Sequence, residues 1–310
     1  MRFNYPRWSK VPYNGENKPP QNPEEPLAGS WPLFYLKRDN GWFTDLKGNP
    51  LPQVTDPNTI DWLAELELVK RTAQTLTLKQ KKIAVYWGTG AVTKQWTPII
   101  DRLIDTYTVY RTGIPPISIS SPRAARILAA TQAAIQDALV VCWDVKYRYD
   151  VARPVQMGPN FVPLLCTPRH PTYLSGHAIA SGAAATVLSY FFPAESDRLQ
   201  QLAEENAISR LYAGVHFPSD ISEGLRLGKA VGIAVINTLR NQRDASGQPV
   251  DVPFTEDRGA QLPPPPYRQI IPFDFKDKCQ SASRGVGIWI KIKEFFWSLI
   301  GYKRKKLNNI

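Results

Sequence analysis

Apolar positions in this chain recur at helical spacing, in blocks separated by breaks that carry proline or glycine. Ile60, Leu63, Ala64 and Leu66 to Val69 form a stripe that begins at Thr59 and ends at Lys70 and Arg71, which predicts a first helix. A second apolar stretch covers Ile83 to Tyr110, with Gly88, Gly90 and Pro98 as its expected breaks. The clearest helix follows Ser121, a capping serine with Pro122 in the first turn, and runs through Ala-rich sequence with no internal Gly or Pro to the neighbourhood of Lys146. Pro154, Pro159, Pro163, Pro168 and Pro171 then mark a loop. From Ser175 to Tyr190 the chain is small and apolar enough for a buried helix, so Ser175, Gly176 and His177 sit at a helix N-terminus. Leu199, Leu202, Ala203, Ala207 and Leu211 trace another helix, and Ile221, Leu225, Gly228, Gly232, Val235 and Leu239 the next, with Pro218 between them.

Strand signals are scarce, so the expected fold is all-α, a multi-helix bundle. Residues 1–58 read as an irregular, extended arm laid over a helical catalytic domain at 59–243. A Pro-rich irregular segment at 244–285 follows, with Pro263 to Pro266 as a stiff polyproline run, and then a basic amphipathic helix at 286–310. That last segment holds Trp289, Phe295, Phe296 and Trp297 beside basic residues Lys303 to Lys306. It is too short and too charged to span a bilayer; a peripheral contact with anionic lipid and a docked helix with a solvated tail both stay open.

A chain of 310 residues, 43% hydrophobic, is long enough to bury a substantial core. The formal charge of +11 suits small anionic substrates, and no Lys/Arg face with interleaved aromatics supports a nucleic-acid partner. Cys142, Cys166 and Cys279 are too few and too scattered for a disulfide framework or a metal cluster. With no signal-like leader and no run of about 20 uninterrupted apolar residues, a cytoplasmic protein is expected, peripheral to the membrane if 286–310 binds lipid. Oligomeric state is not legible.

Candidate chemistry is concentrated. All three histidines, His170, His177 and His216, fall among Lys146, Arg153, Ser175, Gly176 and Arg210. The three cations can neutralise a dianion or trianion, Ser175 and the Gly176 amide add short-range donors, and a helix starting there aims its dipole at the same anion. His177 and His216, on different elements, suit two roles, one bonded to the central atom and one moving a proton.

The blocks KYRYDVARP (Lys146 to Pro154), LSGH (Leu174 to His177) and SRLYAGVHFPSD (Ser209 to Asp220) resemble the tripartite signature shared by type 2 phosphatidic acid phosphatases and vanadium-dependent haloperoxidases. One position departs: Leu174 stands where that signature usually has proline. The resemblance covers roughly residues 120–240. It implies that His216 bonds the central atom, as a phosphohistidine nucleophile or as the ligand of vanadate. Lys146, Arg153, Ser175, Gly176 and Arg210 would hold the oxyanion, His177 would act as acid or base, and Asp220 would orient His216 or pair with an arginine. Trp143 and His170 resemble halide-side residues of the haloperoxidases, although a packing tryptophan and a histidine lining a loop are the plainer readings.

These readings imply an enzyme that oxidises bromide or iodide with hydrogen peroxide at vanadate. The first alternative is a soluble acid phosphatase that needs no cofactor; the second is a non-catalytic oxyanion-binding or membrane-peripheral protein.

Overall fold

The computed structural model describes residues 3–108 and 118–272. The helix expected at 286–310 lies outside the described residues. Among them are eight α-helices and one two-stranded hairpin: α1 Trp62–Gln74, α2 Leu78–Trp87, α3 Thr93–Tyr107, α4 Ser121–Tyr149, α5 Pro154–Met157, α6 Gly176–Phe191, α7 Ser196–Tyr212 and α8 Pro218–Leu239. The all-α expectation holds for the body of the molecule. The cap of α4 is Ser120, one residue earlier than expected, and Pro98 falls inside α3 rather than ending it. Burial of Trp96, Ile99, Ile100 and Leu103 carries α3 past that proline, as tertiary packing outweighs local propensity.

Helix α6 is the centre of the bundle and packs on α4, α7 and α8. Its small side chains let α8 come unusually close. A Cβ on Gly228 would lie 2.1 Å from the Ile179 carbonyl oxygen, and one on Gly224 would lie 3.1 Å from that of Ser175. Gly232 approaches Thr186 in the same way, so the contacts advance along both helices together and α6 and α8 run parallel. Their two N-termini therefore share one end of the bundle. Trp143, near the C-terminal end of α4, lies against Gly176, so α4 runs the opposite way and ends at that same place.

By length and composition α4 would pass as a bilayer span, but over half of its apolar window is buried inside the protein. Leu174, fully buried, packs in the main core, and its carbonyl faces the Cys142 thiol at 3.5 Å.

The arm is more structured than its composition suggests. Leu36–Asp39 (β1) and Trp42–Asp45 (β2) pair antiparallel around Asn40 and Gly41, whose φ values of 45° and 76° make the two-residue turn such hairpins favour. Further upstream, Arg7 bridges Val151, and Ser9 and Arg7 both donate to the Asp150 carboxylate. Asp150 ends α4 in the left-handed conformation, so the arm is fastened where that helix stops. The segment after α8 also adheres to the body: Phe254 stacks on Phe192, and Arg126 forks onto Asp251 at 2.5 and 2.7 Å. The peptide bonds within Pro263–Pro266 are cis.

Candidate oxyanion site

At the end where α6 and α8 begin, His216 is held through both ring nitrogens. Nδ1 lies 2.8 Å from Asp220 Oδ2, and Nε2 lies 3.1 Å from Nη1 of Arg153. A guanidinium only donates, so Nε2 must be the accepting nitrogen and the ring proton must sit on Nδ1, facing Asp220. The lone pair of Nε2 thus points toward the cations. Asp220 is itself fixed by the Thr172 hydroxyl and by the Phe217 backbone N–H at 2.9 Å. Burial pushes the Asp220 carboxyl upward, opposed by these two donors and by the charges of Lys146 and Arg153.

Arg153, fully buried, spans the site. Its Nε donates to the His170 carbonyl at 2.9 Å, Nη1 to the Val215 carbonyl at 2.7 Å, and Nη2 to Nδ1 of His170 at 2.9 Å. Lys146 is equally buried and gives two of its three N–H donors to the carbonyls of Pro171 and Thr172, both at 2.8 Å. Burial drives its ammonium well below the ordinary lysine value. Arg210 donates to the Ala84 carbonyl and the Ser209 hydroxyl, each at 2.9 Å, and burial pushes it down to about 9. Three cations against the single buried carboxylate of Asp220 leave two positive charges in excess.

His177 completes the cluster from the other side. Its Nε2 lies 3.1 Å from the Trp87 carbonyl, which can only accept, so Nδ1 is its basic nitrogen. Burial holds all three imidazoles well below their ordinary value; for His177 the Arg210 charge adds most to this, and for His216 the Arg153 charge. Ser175 caps α6 by accepting from the Ala178 N–H at 3.3 Å, which leaves its own proton to donate. The N–H groups of Gly176 and His177 find no acceptor among the described residues, as expected where a helix start faces an anion.

Residues 126–244 match the PAP2 superfamily model. The chain carries a PAP2 superfamily domain. A vanadium-dependent bromoperoxidase of Corallina pilulifera is 35% identical over 97 residues, covering 23% of this chain and 16% of that protein. The chain thus spans about a sixth of the curated relatives it matches. Among solved structures, a bacterial vanadium-dependent iodoperoxidase aligns with a TM-score of 0.55 at 23% identity, over 77% of this chain and 62% of that one. A bacterial vanadium-dependent chloroperoxidase in its apo form aligns with a TM-score of 0.54 at 13% identity, over 76% and 63%. These two likenesses show the fold.

The PAP2 domain brings together every residue singled out from sequence, Trp143 and His170 included, whose rings are 4.8 Å apart. It also uses residues that the sequence reading passed over. Thr172 braces the His216–Asp220 pair from within the HPTYLSGH stretch, where its hydroxyl was the available signal. The other omissions lie outside the domain. The end of α2 supplies the carbonyls of Ala84 and Trp87 to Arg210 and His177, and Gly88 clears the way, since a Cβ there would meet Arg210 Nη1 at 2.9 Å. Backbone carbonyls at a helix C-terminus favour a cation electrostatically, but no side-chain motif announces them.

Proposed function

We propose that this protein is a vanadium-dependent haloperoxidase-like enzyme that oxidises bromide or iodide with hydrogen peroxide. One observation carries the reading: the two excess positive charges buried around the unprotonated Nε2 of His216. A tetrahedral oxyanion of charge about −2 balances that site, and orthovanadate fits its donors: a nitrogen lone pair, three cations and the amides of Gly176 and His177. Vanadate, when bound, supplies a Lewis acid that activates peroxide without changing oxidation state.

The chain's own residues do the rest. His216 holds the group through Nε2, while Asp220 and Thr172 keep the ring proton on Nδ1. Lys146, Arg153 and Arg210 neutralise the oxygens, with Ser175 and Gly176 donating at short range. His177 carries the proton through Nδ1. Trp143 and His170 form the side at which a halide enters. Peroxide, halide and one proton give hypohalous acid and water, the halide losing two electrons to the peroxide oxygen.

A second reading rests on the same lone pair. His216 Nε2 would attack a phosphoester, forming an N–P bond as the alkoxide leaves with a proton from His177; water then cleaves the phosphohistidine. The deciding experiment loads the protein with orthovanadate, measures bound vanadium by elemental analysis, and assays bromination of an organic acceptor. Turnover that disappears in His216→Ala is expected. Bound vanadium with no bromination across pH 4–9 would overturn the haloperoxidase reading, and vanadate-inhibited, metal-free hydrolysis of an aryl phosphate would replace it. Oxyanion binding with neither activity would leave a binding protein.

A further inference from the structure

The first hundred residues lie outside the PAP2 match, yet one of their side chains reaches the site. Glu24 is anchored through its backbone at three points. Its N–H donates to the Arg169 carbonyl at 2.8 Å, and its carbonyl accepts from the Tyr147 hydroxyl at 2.7 Å and from Nε1 of Trp143 at 3.3 Å. This fastening leaves the carboxylate half in solvent, 54% exposed, with Oε2 3.9 Å from Nε2 of His170. Nδ1 of His170 lies 2.9 Å from Nη2 of Arg153 and 3.1 Å from the Pro171 carbonyl, and the Nε2 edge of the ring faces Glu24. A line of groups therefore runs inward from solvent: Glu24, His170, Arg153, His216.

Two carboxylates act on both Lys146 and Arg153: Asp220 inside the site and Glu24 at its edge. Asp220 is committed to His216. Glu24 makes no hydrogen bond through its carboxylate among the described residues, and the backbone that carries it does not depend on the charge.

The geometry points to Glu24 as an electrostatic gate on the Trp143–His170 side, a fixed negative charge that weakens the site's hold on small anions and so sets which of them enter. Where the anion is a halide, this rests on the haloperoxidase reading above; for the oxyanion it rests only on the cation cluster. The arm thereby gives the site a selectivity element that the domain alone does not contain. A half-exposed charge acts through a largely aqueous dielectric, so its effect is several-fold rather than many orders of magnitude.

The test titrates the vanadate-free protein with inorganic phosphate by calorimetry at low ionic strength. Glu24→Gln keeps the shape and all three backbone anchors, and it should tighten phosphate binding about 3- to 10-fold, with Glu24→Lys tighter again. The differences should close in about 1 M salt, where screening reaches only ~3 Å; a merely structural role would not follow salt in this way. In the vanadate-loaded enzyme, Glu24→Gln should lower the bromide KM by a similar factor with kcat little changed. Equal phosphate affinities at low salt, or weaker binding in Glu24→Gln at an unchanged melting temperature, would overturn the gate. Ordered phosphate affinities without bromination would remove the haloperoxidase reading and leave the gate standing; bromination without that order would do the reverse.

Discussion

His216 owes its reactivity to partners on both sides of its ring. Arg153 fixes Nε2 as the acceptor, and Asp220 with Thr172 fixes the proton on Nδ1. Asp220→Asn offers the ring a weaker, neutral acceptor and removes the charge that stabilises the bound state. Affinity for vanadate, which Nε2 would ligate, is therefore expected to fall about 10- to 100-fold, read by calorimetry. Thr172→Val keeps the carboxylate and should lose less. A loss in Thr172→Val as large as that in Asp220→Asn would mean that the hydroxyl, not the charge, orients the ring. At this scale the sequence was legible where donors sit on contiguous blocks, as Lys146, Arg153, His177, Arg210, His216 and Asp220 do. Trp87 was not legible because it acts on His177 through a backbone carbonyl 90 residues away, and Glu24 because its carboxylate is brought to His170 by backbone anchors such as that to Trp143, 119 residues along the chain.

The parallel pair α6 and α8 brings two helix starts to one place, and the glycines of α8 set how near they come. Gly228→Ala would place a Cβ 2.1 Å from the Ile179 carbonyl, against backbone that cannot rotate away. Where an exposed helical glycine gains from such a change, this one should lose about 1–3 kcal/mol, measured by denaturant unfolding. Oxyanion affinity should fall with it, since the Ser175–His177 turn and the His216–Asp220 turn head the two helices being forced apart. Gly228 and Gly232 stood in the sequence among the positions that trace α8, without announcing how close the partner helix would come. The hairpin at Leu36–Asp45 has a signal too, Asn40–Gly41 between residues of strand type, but it is a short one set among proline, asparagine and glycine that read as irregular. Pro98 misled for the opposite reason: a local breaker was overruled by the buried face of α3.

Taken whole, the molecule gathers like charge at the site, and its stability should register this. The folded state holds His170, His177 and His216 neutral, well below the unfolded value near 6.5. Below that pH the unfolded chain binds protons that the folded one refuses, so stability falls as pH falls, by about 1.4 kcal/mol per pH unit for each histidine still neutral. The raised carboxyl of Asp220 acts in the opposite direction but is one group against three. A melting temperature that rises on acidification from pH 6.5 to 5 would contradict this accounting. Phosphate or vanadate at a hundred times its Kd should add about 2.7 kcal/mol, or roughly 4 °C in melting temperature. His216→Ala should abolish most of that gain.

The arm has one more consequence, which concerns time. Ser9 and Tyr13 meet Asp150 and Pro168, 141 and 155 residues further along the chain, so this segment waits for partners that the ribosome has yet to deliver. At about 5–20 residues per second that interval is roughly 7–30 s. Glu24 and its anchors on Trp143 and Tyr147 are subject to the same delay. The Asp150 contacts wait until α4 is complete and the Pro168 and Arg169 contacts until α5 has followed it, and the site acquires its negatively charged edge only then.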